Sequence, residues 1–366
     1  MSDSIPFLDL RVPAEERERL LAAIDAVLAH GRLVCGPEVA RFESAIADRT
    51  GRAHAIGAGS GTDALHLALR ALDLGPGDEV ITTPMSWVAT ANAIALTGAT
   101  PVFADVDATL NIDPRAIEAE VTPRTRAIVA VHYNGRVAPL DTLDSVARGH
   151  DLLLVEDAAQ AFGARDASGR ESGSTGTIAA FSLNPMKLLA AVGEAGVVVT
   201  DDAALRDRVE RLRYNGSRNE DASEIGWNGR LDTVQAAVLL ARLETIDAQI
   251  DHRRRLARRY NSALAEIPEV TTRPIEPEGE RHVYYTYTIE VEARDRLQEA
   301  LTAAGIETKV RHPLLIPEQS AYRESARGSW SNAARLRDRM LSLPIHEKLG
   351  DAEVDRVVET VARFFR

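Results

Sequence analysis

Leu152-Leu153-Leu154-Val155-Glu156-Asp157-Ala158-Ala159-Gln160 is a short apolar run that ends in two adjacent carboxylates. Reading outward, the pattern repeats on both sides. Upstream lie the apolar run Ala127–His132 and the amphipathic segment Leu140–Arg148. Before them come Glu79–Thr83, Ser86–Leu96, Pro101–Val106 and Pro114–Glu120. The series opens at His54–Gly57, followed by Thr62–Leu72, where Leu65, Leu69 and Leu72 recur at helical spacing until Gly75-Pro76-Gly77 stops the helix. Downstream, Ile178–Leu183 and Gly196–Thr200 are two further apolar runs. Strands alternating with helices predict βαβ units and a mainly parallel sheet, whose ligand site lies beyond the carboxyl ends of the strands.

A long helical stretch from Leu231 to about Leu264 then leads away from the sheet. Its second half carries Arg253, Arg254, Arg255, Arg258 and Arg259, and reads as a solvated helix face. Pro274, Pro277 and Gly279 read as a linker. The remainder reads as a smaller α+β unit with strands at Tyr284–Val291 and Thr308–Arg311, a helix at Arg294–Ala304 and a closing helix at Asp351–Phe365. The expected division is residues 1–250 for the large unit and 251–366 for the small one.

Composition narrows the function. With 43 basic against 55 acidic residues, the 366-residue chain has a net charge of −12, which argues against a general nucleic-acid binder. The single cysteine, Cys35, excludes an intrachain disulfide framework and a cysteine-built metal site. No apolar run approaches the roughly 20 residues of a membrane-spanning helix. Met1–Pro13 carries acids where a signal peptide would need a basic start. The expectation is a cytoplasmic protein with no membrane or nucleic-acid partner and no metal.

Three segments carry chemistry. Gly57-Ala58-Gly59-Ser60-Gly61-Thr62 joins a strand to a helix, where free backbone N–H groups and a hydroxyl suit a phosphate; a plain reversing turn is the alternative. The following strand closes with Thr82-Thr83-Pro84 rather than the acidic residue that a dinucleotide fold requires. Asp157 ends a buried strand, so its carboxylate needs a cation, such as a protonated pyridine nitrogen. A metal site and a helix cap are its alternatives. Lys187, in Phe181-Ser182-Leu183-Asn184-Pro185-Met186-Lys187, sits in apolar surroundings between two strands. Desolvation there would lower the amine from its ordinary value of about 10.4 and make it a nucleophile, whereas an exposed loop would leave it inert. Phosphate anchor, pyridinium partner and Schiff-base lysine are together what pyridoxal 5′-phosphate (PLP) needs.

Taken in order, these motifs resemble the sugar aminotransferases of the DegT/DnrJ/StrS group, which are fold-type-I PLP enzymes. The resemblance runs almost end to end. It includes Ile5-Pro6-Phe7-Leu8-Asp9-Leu10, Gly36-Pro37-Glu38-Val39, Ser60-Gly61-Thr62-Asp63-Ala64-Leu65, Glu156-Asp157-Ala158-Ala159-Gln160, the Ser182…Lys187 segment, Asn228-Gly229-Arg230-Leu231-Asp232 and Gln235-Ala236-Ala237. It implies an α/β fold with a mainly parallel seven-stranded sheet flanked by helices and a smaller C-terminal α+β domain. It also implies that Lys187 is the Schiff-base lysine, Asp157 the partner of the ring nitrogen, Trp87 the aromatic stacked on the ring, and Gln160 the residue beside the phenolic oxygen. Gly61, Thr62 and Ser182 would be phosphate ligands. Asn228 would reach the phosphate of a neighbouring subunit, which makes a homodimer with shared sites. Arg230, Arg311 and His312 are substrate-side candidates. The implied reaction converts a keto-sugar, nucleotide-linked, to an amino-sugar with glutamate or glutamine as donor. A cyclitol aminotransferase or a sugar dehydratase is the alternative, although family dehydratases replace the lysine with histidine.

The chain departs from the family in three places. Arg311-His312-Pro313-Leu314-Leu315-Ile316-Pro317 replaces a segment close to His-Tyr-Pro-x-Pro-x-His. Gly193-Glu194-Ala195-Gly196 replaces Gly-Glu/Asp-Gly-Gly, and Tyr133-Asn134-Gly135 replaces the common Tyr-Gly pair. The first and third lie where substrate is held, so they bear on which ligand enters.

Overall fold

A computed structural model describes residues 4–218, 221–273, 276 and 278–366. Seven strands form one sheet: β1 (His54–Ala58), β2 (Glu79–Thr82), β3 (Thr100–Phe103), β4 (Thr125–Val131), β5 (Leu153–Asp157), β6 (Ile178–Ser182) and β7 (Gly196–Thr200). Their spatial order is β1-β7-β6-β5-β4-β2-β3. Pairs from β3 across to β6 are parallel, and only the two pairs made by β7 are antiparallel. The expected mainly parallel sheet is therefore present, with β2, β4, β5 and β6 ending on one edge.

The strands read as unbroken apolar runs because both faces of the sheet are covered. Alternation of side chains then divides each strand between two layers. Ile128, Leu154, Ala179, Phe181 and Val197 enter one buried cluster; Val129, Val155, Ile178, Ala180 and Val198 enter the other. The first layer is closed by α2 (Pro37–Thr50), α6 (Leu140–Gly149) and α8 (Thr233–Leu243), with α1 (Ala14–His30) packed outside on α8. The opposite layer is closed by α3 (Gly61–Ala71), α4 (Ala89–Leu96) and α7 (Ala203–Leu212). The short helix α5 (Pro114–Glu118) precedes β4, and a ribbon of β8 (Ser217–Arg218) and β9 (Asp221–Ala222) follows α7.

The single long helix expected from Leu231 is two helices. A break at Glu244-Thr245 separates α8 from α9 (Ile246–Leu264). The break lets one apolar stripe serve two cores: Ile246 and Ile250 join the sheet cluster, whereas Leu256, Ala257, Tyr260 and Leu264 join a second cluster. That second cluster lies over an antiparallel sheet of β10 (Thr271–Arg273), β11 (Tyr287–Glu290) and β12 (Met340–Leu343), with α10 (Arg294–Ala303) and α12 (Asp351–Phe365). The strand expected at Thr308–Arg311 reduces to one bridge, Lys309 to Ser342. The expected linker residues Pro274 and Pro277 lie outside the described residues. Between β11 and β12, α11 (Ser331–Arg339) packs Ala333 and Leu336 against Met85, Val106 and Tyr133 at the large sheet's edge.

The solvated-face reading of α9 holds for most of its arginines but fails at Arg253. Arg253 is buried, and its guanidinium donates to the carbonyls of Tyr284 and Ile345 at 3.2 and 3.0 Å and to Glu347 at 3.2 Å. Arg255 and Arg259 stay on the outside and pair with Asp351 and Asp355 of α12.

Beneath the sheet edge lies a fully buried carboxylate, Glu156. It accepts from the backbone N–H groups of Gly173, Thr175 and Gly176 at 2.8, 2.8 and 2.6 Å, and from His132 Nε2 at 2.7 Å. His132 Nδ1 accepts from the Ala138 N–H, which assigns the ring proton to Nε2. Arg52 lies 3.7 Å away. Burial pushes the Glu156 carboxyl up, but His132 and the amides more than offset this and hold it at about 2, against an ordinary 4.5. Glu156→Ala strands all of these donors in a dry core. We expect it to destabilise the protein by about 3–5 kcal/mol, read from the urea midpoint. Because the folded-state value is depressed, the contribution of Glu156 is complete above pH 4.5 and fades as the pH falls towards 2. Over that window the wild type should lose more stability than the variant.

Candidate active site

The parallel strand ends set out the site. Asp157 closes β5, Ser182 closes β6, and the turn after β2 leads through Ser86 and Trp87 into α4. Asp157 shares its strand face with Val155, opposite to Glu156, so it turns towards α4 rather than into the Glu156 network. Thr90 of α4 donates to Asp157 Oδ2 at 2.8 Å and lies 3.0 Å from Ser86 Oγ. The Ala159 N–H donates to Oδ1 at 3.1 Å. The carboxylate is 6% exposed and forms no ion pair among the described residues. A buried carboxylate held by hydrogen bonds, with no cation beside it, is suited to a cationic ligand group.

Trp87 is 65% exposed, which rules out core packing and leaves its ring face open at the strand edge. On the far side of the sheet edge, α3 begins at Gly61 against Ser182. A Cβ on Gly61 would stand 2.4 Å from Ser182 Cβ and 2.6 Å from its Oγ, so only glycine allows this approach. Ser60 caps α3 by accepting from the Asp63 N–H at 3.0 Å, and the N–H groups of Gly61 and Thr62 remain as first-turn donors beside the Ser182 hydroxyl. This arrangement fits an anion of phosphate type.

Gln160 is fixed by a residue that the sequence flagged only as a departure. Asn134 takes a left-handed conformation with φ 57°, and its N–H donates to Gln160 Oε1 at 3.1 Å. That bond commits the Gln160 oxygen and leaves its NH₂, a donor, without a partner among the described residues. The Asn134 side chain reaches Thr286 and Thr288, and its carbonyl accepts from the Tyr285 N–H at 2.9 Å. Next to it Gly135, at φ 95°, approaches Val283 and Tyr285 too closely for any Cβ. The loop after β4 therefore binds the large sheet to the segment that enters β11.

Lys187 lies on a loop that closes on itself, with Leu183 paired to Ala195 and Ala191 donating back to the Leu183 carbonyl. Its Nζ lies 3.5 Å from Tyr285 Oη and 4.6 Å from the centroid of that ring. Arg311 approaches the same hydroxyl at 3.3 Å. His312 is buried, 5.6 Å from the Tyr133 ring, and burial together with Arg311 pushes it down to about 3, so it is neutral packing rather than a charged ligand group. Arg230 and Asn228 stand apart from this group. Arg230 lies over the Tyr214 ring at 4.6 Å and pairs with Ala58, while Asn228 is exposed and pairs through its backbone with Tyr214. Lys187, Arg311, Gln160 and Asp157 thus line the edge at the ends of β4–β6, with Gly61, Thr62 and Ser182 beside them. The sequence reading missed Tyr285 and Thr90, and it marked Asn134 only as a departure from the family pattern. Tyr285 lies within an alternating apolar run like any core aromatic, and its partner Lys187 is 98 positions away.

A mainly parallel seven-stranded sheet with these residues along one edge, joined to a small antiparallel unit, defines a fold-type-I transferase. The chain belongs to the DegT/DnrJ/EryC1/StrS aminotransferase family, which it matches over residues 14–362. It is 41% identical over 362 residues to dTDP-3-amino-3,4,6-trideoxy-alpha-D-glucose transaminase of Streptomyces venezuelae, covering 98% of this chain and 95% of that one. The crystal structure of DesV from S. venezuelae superposes with a TM-score of 0.96 at 40% identity and 99% coverage of both chains. NtdA from Bacillus subtilis, solved with its cofactor PMP bound, gives 0.94 at 29% identity, covering 100% of this chain and 86% of that one.

The glycine contact supplies a direct test. Gly61→Ala should weaken retention of PLP by about tenfold or more, equivalent to about 1.4 kcal/mol, in a fluorescence titration of the apoprotein. Gly149→Ala, where an added Cβ meets nothing within 4 Å, is the matched control and should leave retention unchanged.

Proposed function

We propose that the protein is a PLP-dependent aminotransferase that converts a nucleotide-linked keto-sugar to an amino-sugar, with glutamate or glutamine as donor. The observation that carries this reading is the buried Asp157 carboxylate, hydrogen-bonded yet without a cation among the described residues, on the same strand edge as the Lys187 amine and the Gly61–Ser182 cradle. Its relatives' names support the substrate class: the S. venezuelae relative is a dTDP-sugar transaminase.

PLP supplies an electron sink, because its protonated ring draws in the electron pair left when a substrate C–H bond opens. In this reading Asp157 holds the ring nitrogen protonated, and Thr90 keeps the carboxylate turned to it. Gly61, Thr62 and Ser182 bind the phosphate, Trp87 covers the ring, and the Gln160 NH₂ donates to the phenolic oxygen. Lys187 carries the reactive amine and moves the proton taken from the substrate carbon. Asn228, exposed and unused within its own chain's site, completes the phosphate site of a partner in a cytoplasmic homodimer. Arg311 meets the substrate's negative charge, since a guanidinium fork can bind two oxygens at once, whereas Arg230, over the Tyr214 ring, stands apart from that contact. Residues 1–250 form the cofactor-binding unit and 251–366 the small one.

The first test uses the purified holoenzyme. Borohydride should fix the cofactor covalently to Lys187, as located by peptide mass mapping, and Lys187→Ala should abolish both the adduct and turnover. An adduct on Lys309 or Lys348 would refute the assignment. A screen of nucleotide-linked keto-sugars and keto-cyclitols against the amino form of the cofactor then separates the two substrate classes.

Shared sites have a separate test. Lys187→Ala and Asn228→Ala homodimers should each be strongly impaired. Mixed under subunit exchange, they should recover about a quarter of wild-type activity, because half of the random dimers carry one intact site of two. A fully active monomer would exclude the shared site.

A further inference from the structure

Tyr285 occupies a place that none of these roles uses. The residue is 9% exposed, yet its hydroxyl lies against two basic groups from distant parts of the chain, Lys187 Nζ at 3.5 Å and Arg311 Nη2 at 3.3 Å. Both also lie over its ring, Nζ at 4.6 Å from the centroid and the guanidinium carbon at 5.1 Å. The backbone of Tyr285 is pinned to Asn134, the same residue that orients Gln160. The phenol is thus held in place independently of Lys187.

Donor counting restricts the protonation of this group. A guanidinium can only donate, and so can an ammonium. If Tyr285 kept its proton while Lys187 was an ammonium, the oxygen would face donors on both sides and its own O–H would have no acceptor in the pair. Two arrangements satisfy it: a phenol donating to a neutral amine, or a phenolate accepting from an ammonium. They hold the same number of protons and differ only in which atom carries the shared one. Arg311 stabilises the phenolate form from the other side.

The geometry points to Tyr285 as a further catalytic residue, one that exchanges a proton directly with the Lys187 amine. As the N–H bond breaks at Nζ, the O–H bond forms at Oη; the phenolate and ammonium become phenol and neutral amine, and no electrons change hands. Lys187 then presents a free lone pair when the substrate carbon must lose its proton, and Tyr285 can return the proton afterwards. This assignment rests on the proposed role of Lys187 as the reactive amine. The acidity of the phenol agrees with it. Burial pushes Tyr285 up, and Lys187 and Arg311 more than offset this and leave it at about 8, below the ordinary 10.0. Besides these two, the charged and titratable groups among the described residues whose electrostatics couple to Tyr285 are Tyr133 and Arg253.

Tyr285→Phe in the holoenzyme removes Oη and keeps the ring. The probes are L-glutamate and L-glutamine, with rapid-mixing absorbance following bleaching of the cofactor band. The expected result is about a 10²-fold fall in the half-reaction rate constant, within the ordinary range for general acid–base catalysis. The donor concentration giving half the maximal rate, the cofactor band and the thermal midpoint should stay near wild type. An α-deuterated donor should slow the variant more than the wild type. Rates within about threefold of wild type across the whole pH range would overturn the assignment, as would loss of the cofactor band, which would make Tyr285 a packing residue. A wild-type protein with no cofactor band, or one that neither donor bleaches, would instead remove the aminotransferase reading and this assignment with it.

Discussion

Glu156 is a carboxylate with no route to water, and the edge of the sheet is arranged around satisfying it. Three backbone N–H groups from one loop, an imidazole from the end of β4 and a guanidinium from the segment before β1 converge on one side chain. A buried charge of this kind is tolerated only when its surroundings are complete. Those surroundings fix the end of β4 against β5 and the chain that enters β6. The next residue, Asp157, projects to the other face by the strand's period of two. One carboxylate builds the framework, and its neighbour is free to serve the site.

The second requirement is to bring a small antiparallel unit to that edge. Asn134, in a left-handed turn, spans the gap with bonds to Gln160 on one side and to Tyr285, Thr286 and Thr288 on the other. Arg253 holds the same segment, just before β11, through the Tyr284 carbonyl. A buried arginine with two carbonyl partners is costly to desolvate and strongly directional once paired. Tyr285 is therefore clamped between two anchors, which explains how a residue remote from Lys187 in sequence can meet its Nζ.

The substrate side of the molecule is less regular. Residues 315–340 run over the ends of β2, β3 and β4, tied by the bond from the Ile316 N–H to Pro84 and by Trp330 donating to the Phe103 carbonyl. The unusual Arg311-His312 pair enters this region with two different fates. Arg311 keeps its guanidinium at the site, while His312 is packed away as a neutral ring. Both still border the small cavity beside Tyr133 and Thr288, Arg311 as a charge and His312 as a packed ring.

The sequence by itself determined the sheet, because parallel strands buried on both faces leave unbroken apolar runs and the intervening helices leave a stripe of period 3.6. It also marked Asp157, Lys187 and the glycine turn, whose residue types are costly or conspicuous where they stand. It did not mark the break at Glu244-Thr245, since a helical stripe continues in register whichever core receives it. The single bridge at Lys309 was equally hidden, because a strand needs a partner along its length and only the fold supplies one. Arg253 read as solvated because five basic residues in seven positions look alike until one of them is roofed over. Tyr285 and Thr90, and the partners of Asn134, were decided by tertiary structure alone: each of the three acts through a partner at least 26 residues away, and no local pattern records which side chains long-range packing will bring within hydrogen-bonding distance.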